Sequence, residues 1–130
     1  MAKTEFAFKD LKVWHKAVDF AEEVIGLIDQ IDSDRKHYKI TEQLEGAVAS
    51  VSSNIAEGKG RFSKKEFVQY LYTARGSLYE SVSLLNIFER KGWITGEQLA
   101  QCENNALEVA QMIKGLINAI YDSRQSENEK

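Results

Sequence analysis

Proline is missing from all 130 residues, cysteine occurs once and histidine twice. Without proline nothing forces a helix to break, so long uninterrupted helices are the default expectation. A lone Cys102 cannot close an intramolecular disulfide, and a reduced, cytoplasmic setting is expected. His15 and His37 fall on different elements and form no His-x-x-x-His or Glu-x-x-His pair, the spacings that aim two ligands from one helix face. Both therefore read as exposed, and no metal site is predicted. No apolar run approaches the roughly 18–20 residues of a membrane helix. The opening MAKTEFAFKD carries no apolar signal segment, so neither a membrane partner nor export is expected.

Catalytic machinery is also lacking. Cys102 has no basic or histidine neighbour on its helical face to lower its pKa, which makes it a small core residue. The glycines of EGKGR lack the preceding strand and the Gly-Lys-Ser/Thr ending of a phosphate loop, and read as a helix stop. No polar cluster points to a cofactor or a small-molecule substrate, so the chain is predicted not to be an enzyme.

What is present is helix-forming pattern. With 43% apolar and 28% charged residues the composition is that of one globular domain, large enough to bury a core. Helix 1 is expected from about Asp10 to Ile31. Leu11, Trp14, Val18, Ala21, Ile25 and Ile28 recur at 3–4 spacing as a bundle seam. A second apolar row, Val13, Ala17, Phe20, Val24, Leu27 and Ile31, lies beside it and calls for a further partner, either a neighbouring helix or another subunit. The polar stretch from Asp32 to Lys39 reads as a loop. Helix 2, from about Ile40 or Thr41 to Glu57, has the row Ile40, Leu44, Val48, Val51 and Ile55, and is rich in small residues that let another backbone come close.

The next two starts are strongly marked. Ser63 with Glu66, and Thr95 with Gln98, have capping-box spacing. Phe62 with Phe67, and Ile94 with Leu99, have the spacing of hydrophobic staples. Helix 3 carries Phe67, Leu71, Ala74, Leu78, Ser81, Leu85 and Phe88, and closes on Gly92 with Trp93 placed to cover Phe88. Helix 4 carries Leu99, Cys102, Ala106, Val109, Ile113, Leu116 and Ile120. Short loops between four such helices predict an all-α, antiparallel up-down-up-down four-helix bundle of the left-handed packing class. Residues 1–9 form a lead-in, 10–122 the bundle, and 123–130 a disordered tail.

Antiparallel topology would bring Lys9, Lys12, Lys16, Lys59, Arg61, Lys64 and Lys65 to one end. Asp10, Glu57 and Glu66 oppose them there, which leaves about four net positive charges in a protein of net −3. That end either contacts an anion such as RNA, DNA or an acidic protein, or is a solvated lysine-rich helix end. A flank of helix 3 formed by Val68, Tyr72, Arg75, Tyr79 and Val82 combines residue types enriched in interfaces and able to stack on bases. Together with the spare row of helix 1, it predicts self-association, with Val13, Phe20, Leu27, Tyr72, Arg75 and Tyr79 as interface residues.

The segments FKDLKVWHKAVDFA (Phe8 to Ala21), SNIAEGKGR (Ser53 to Arg61) and SKKEFVQYLYTARGSLYE (Ser63 to Glu80) resemble the four-helix-bundle proteins encoded in intervening sequences of bacterial 23S ribosomal RNA genes. More distantly the chain is similar to accessory variability proteins of diversity-generating retroelements. The resemblance implies a homopentamer around a central channel and no enzymatic activity. For the retroelement branch it also implies binding to nucleic acid and a reverse transcriptase. Glu45 and Gly46 stand where many relatives carry basic residues, and Ser52 replaces a frequent proline. The basic positions retained are Lys59, Arg61, Lys64 and Lys65, which become the candidates for contact with RNA or a ribonucleoprotein. The alternative is a protein-protein interaction scaffold without nucleic acid.

Overall fold

The computed structural model describes residues 6–31 and 37–128, the last five by their backbone alone. A 3-10 turn, Ala7–Asp10, leads into four helices: α1 Lys12–Gln30, α2 Tyr38–Lys59, α3 Lys64–Arg90 and α4 Gly96–Asn128. The expected loop is shorter than its sequence suggests, because Tyr38 and Lys39 already belong to α2; residues 32–36 lie outside the described residues. α4 continues past Asp122, the expected end of the bundle, to Asn128.

The helices close into a ring. α1 packs on α2, α2 on α3, α3 on α4 and α4 on α1, with no diagonal pair in contact among the described residues. Side-chain pairs give the directions. Along α2–α3, Gln43 donates to Glu80 at 3.0 Å and Ser50 Oγ meets Ser77 Oγ at 2.9 Å, so numbers rise on one helix as they fall on the other. Along α3–α4, Asn86 pairs with Glu103 and Lys64 with Ser123, the same opposed order. Lys16 with Glu108 and Asn105 with Glu23 repeat it for α1–α4. Neighbours are therefore antiparallel throughout.

The core follows the heptad-like rows. All seven predicted positions of α3 are buried, as are Leu44, Val48, Val51 and Ile55 of α2 and Cys102, Ala106, Val109, Ile113 and Ile120 of α4. Helix 1 draws on both rows: Ala21 and Ile28 of the expected seam are buried, while Leu27 and Ile31 of the second row are half-buried. Val13, Ala17, Phe20 and Val24 are sealed in the core, Phe20 at 1% exposure. Leu11, Trp14, Val18 and Ile25 sit at its edge, half-buried. Val13 and Phe20 are thus spent inside one chain and cannot serve as a surface between copies. Periodicity shows that two rows exist. Their 100° offset leaves open which one faces the axis, and only the docking of α2 and α4 settles it.

The caps account for the turns. Thr95 and Gln98 exchange both bonds of a capping box, 2.9 and 3.1 Å, and Ile94 is buried under it. Ser63 Oγ accepts from the Glu66 N–H at 3.1 Å, but Phe62 is fully exposed, so no staple forms with Phe67 at this start. At the end of α3, Gly92 takes φ 76°, Gly92 N–H donates to Glu89 and Trp93 N–H to Phe88. Trp93 stands edge-on to Phe88 with centroids 5.0 Å apart, the apolar contact that accompanies this closure.

Gly58 departs from its expected role. It lies within α2, one residue short of the helix end, and its φ is not left-handed. A β-carbon there would stand 2.6 Å from Tyr70 Cβ and 2.9 Å from Phe67 Cδ1. The glycine is needed for the close approach of α3, while Gly60 caps the helix.

Candidate nucleic-acid interface

The α2–α3 turn is held tightly because Gly58 lets Tyr70 and Phe67 press onto the end of α2. Two of the four candidate cations lean back onto this platform, and a third reaches α4. The Arg61 guanidinium lies 4.8 Å from the Tyr70 ring centre and donates to its hydroxyl. Lys59 Nζ sits 5.8 Å from the centre of Phe67. Lys64 Nζ donates to Ser123 Oγ at 2.7 Å, tying the turn to the end of α4. Lys65 is exposed. Cation–π packing and these bonds orient the charges while leaving their outer sides in water.

Between Arg61 and Ser63 stands Phe62, with a relative exposure of 108%. Sequence spacing assigned it to a staple and so hid it as a site residue. A phenyl ring held in water inside a cationic turn offers a flat apolar face beside positive charge.

The electrostatics of this end are weaker than charge placement suggested. Lys16 is paired with Glu108 of α4 at 3.4 Å. With Glu108 counted, the excess at this end falls from about four positive charges to about three.

Tyr72, Arg75 and Tyr79 are exposed on α3 and face α4 across a cleft. Arg75 Nη2 donates to the Tyr79 hydroxyl at 3.4 Å, its guanidinium 5.3 Å from that ring. A hydrogen bond with the Tyr121 hydroxyl, reinforced by charge repulsion from that group, raises the Tyr72 hydroxyl above the usual phenol range. Leu27 is half-buried on α1 and joins none of these groups. Val68 is buried.

Other chemistry is sparse. Cys102 is fully buried, and burial, followed by the neighbouring Glu23 carboxylate, pushes its thiol up to about 12. A thiol so poised is no nucleophile at neutral pH. His15 Nε2–H donates to the Lys9 carbonyl oxygen at 2.7 Å, pinning the lead-in turn, and His37 packs on Trp93 with ring centres 4.5 Å apart. Among the described residues no group of His, Cys, Asp and Glu could hold a metal ion, and no helix is long and apolar enough to cross a membrane.

No curated protein matches the chain. A crystal structure of a protein of unknown function from the S23 ribosomal protein family of Bacteroides thetaiotaomicron VPI-5482 has a TM-score of 0.75 to this structure. It is 24% identical over 81% of this chain and 97% of that one, a likeness of fold. The family model of the 23S rRNA-intervening sequence proteins matches residues 9–115, most of the bundle including the whole α2–α3 turn, and the chain belongs to that family.

Proposed function

We propose that this bundle is a non-catalytic, homo-oligomeric protein that contacts RNA through its α2–α3 turn. The observation that carries the reading is Phe62, fully exposed and flanked by Lys59, Arg61, Lys64 and Lys65. Unpaired bases stack on such rings while the cations neutralise phosphates, a combination tolerant of sequence. Antiparallel packing and the Gly58 contact fix the turn as a rigid tip, so little ordering cost accompanies contact. Five copies is the number implied by the family resemblance. Self-association falls to the half-buried edge residues Leu11, Trp14, Val18 and Ile25, now that Val13 and Phe20 are committed to the core. Several tips on one assembly would raise the avidity of a weak single contact.

Light-scattering mass and anisotropy of a labelled single-stranded RNA, taken across a salt series, test this. The plot of log affinity against log salt should have a slope of roughly −3, the value for about four phosphates neutralised on a single strand. Phe62→Ala should weaken binding about tenfold, in line with the loss of one base stack. Affinity indifferent to salt and to Phe62 would sink the RNA contact. A multimer of this protein that binds no RNA would leave it a protein-interaction scaffold.

A further inference from the structure

The cleft between α3 and α4 has a chemistry that the turn does not use. Its wider half, about 410 Å3, is bordered by Tyr72, Arg75 and Tyr79 from α3 and by Gln111, Lys114 and Asn118 from α4. On α4 these three share one stripe, two amides flanking an ammonium. Among the described residues bordering this half there is no carboxylate, which is a local inversion of sign in a protein of net charge −3. The cleft continues past Tyr79, Leu107 and Ala110 into a second half of about 300 Å3, walled by Leu78, Val82 and Ala106. That half is apolar except for Glu103 at its end. Asn86 holds Glu103 in place, donating to its Oε2 at 3.2 Å while also donating to the Val82 carbonyl at 2.8 Å.

We infer that this cleft binds a nucleoside monophosphate unit, free or within single-stranded RNA, whose base carries an exocyclic amine. The phosphate lies between Arg75 and Lys114, with Gln111 and Asn118 as further donors. The base occupies the apolar half beside Tyr79 and Leu107, and its amine donates to Glu103, as the amine of cytosine does to a carboxylate. The lengths agree. Lys114 and Glu103 are separated by about 16 Å of helix at 1.5 Å per residue. That is the backbone separation; the flexible Lys114 side chain lets its ammonium meet a phosphate while the base of the same nucleotide reaches Glu103. Both halves fall at the lower end of the volume range of ligand clefts, roughly 300–1,000 Å3. The complementary signs at the two ends fix the orientation: phosphate at Glu103 would place like charges together. This site is separate from the basic turn and does not depend on it.

The test uses the full-length protein and follows amide and tyrosine NMR signals during titration with cytidine 5′-monophosphate, uridine 5′-monophosphate and inorganic phosphate. The cytidine nucleotide should bind saturably, about tenfold tighter than the uridine nucleotide, which presents a carbonyl to Glu103. Arg75→Gln and Lys114→Gln are at exposed positions and should keep the fold, each weakening the nucleotide about tenfold. Glu103→Gln should erase the preference between the two bases. Neutralising Lys59, Arg61, Lys64 and Lys65 should leave mononucleotide binding intact, which separates this site from the turn. Displacement of the mononucleotide by a short single-stranded cytidine-rich RNA would assign the site to RNA, and failure to displace would assign it to a free nucleotide. Absence of saturable binding overturns the inference, as does inorganic phosphate binding as well as the nucleotide. A Tyr79→Ala variant that changes the mass of the assembly, while the parent binds no nucleotide, would make the cleft an interface between copies instead.

Discussion

Gly58→Ala isolates the contact on which both the fold and the turn depend. Alanine should stabilise an ordinary helix interior by about 1 kcal/mol relative to glycine. Here the new methyl would meet Tyr70 Cβ at 2.6 Å, Phe67 Cδ1 at 2.9 Å and the Phe67 carbonyl at 3.3 Å. Carbon pairs settle at roughly 3.5–4.0 Å, so the helices must part by about 1 Å. Tyr70 Cβ and a carbonyl oxygen are anchored to the backbone and cannot rotate aside. Overpacking of this kind costs about 1–3 kcal/mol, and the strain spreads along the α2–α3 contact. After the helix-propensity gain of about 1 kcal/mol is subtracted, the net loss should be about 0–2 kcal/mol, lowering Tm by up to about 10 °C in a chain of this length. Gly115→Ala is the internal control. No atom lies within 4 Å of its added carbon, so it should raise Tm by about 3–5 °C. Thermal unfolding followed by far-UV circular dichroism reads both. Gly58→Ala raising Tm as far as Gly115→Ala does would refute the close-approach argument. If the close approach holds, the same variant should also weaken RNA, because the platform of Arg61 and Tyr70 shifts with it.

Phe20→Ala should cost about 3–5 kcal/mol in denaturant unfolding, the range for emptying a buried phenyl site; unchanged stability with altered assembly mass would return Phe20 to an interface. Cys102 should resist thiol reagents in the native protein, and its ionisation should make stability fall at high pH. Its folded pKa, about 12, lies above the ordinary value of 9.0, so the unfolded thiol loses its proton first. Stability contributed by the protonated form is complete below pH 9 and declines toward pH 12, by about 1.4 kcal/mol per pH unit at most. Wild type compared with Cys102→Ala across that range measures it, and parallel pH profiles would contradict the assignment.

Local chemistry sufficed to read the elements. Absence of proline, the 3–4 rows and the Thr95 and Gly92 caps act within one or two turns of helix, so the chain states them without its neighbours. The all-α bundle, the buried row of α3 and the inertness of Cys102 followed from such patterns, and the family resemblance followed from contiguous segments. The site was only half legible. Lys59, Arg61, Lys64 and Lys65 were visible because they are adjacent in sequence, whereas Phe62 had the spacing of a staple and only the path of the chain around the turn leaves it in water. Gln111, Lys114 and Asn118 look like an ordinary solvated stripe until α3 sets Tyr72, Arg75 and Tyr79 opposite them. Gly58 likewise reads as a stop signal until Tyr70 arrives. Which of two rows on α1 faces inward, which charges are cancelled by distant carboxylates, and where a glycine is sterically required are relations between helices. Each is decided by side chains far apart in the chain that packing brings within a few ångströms.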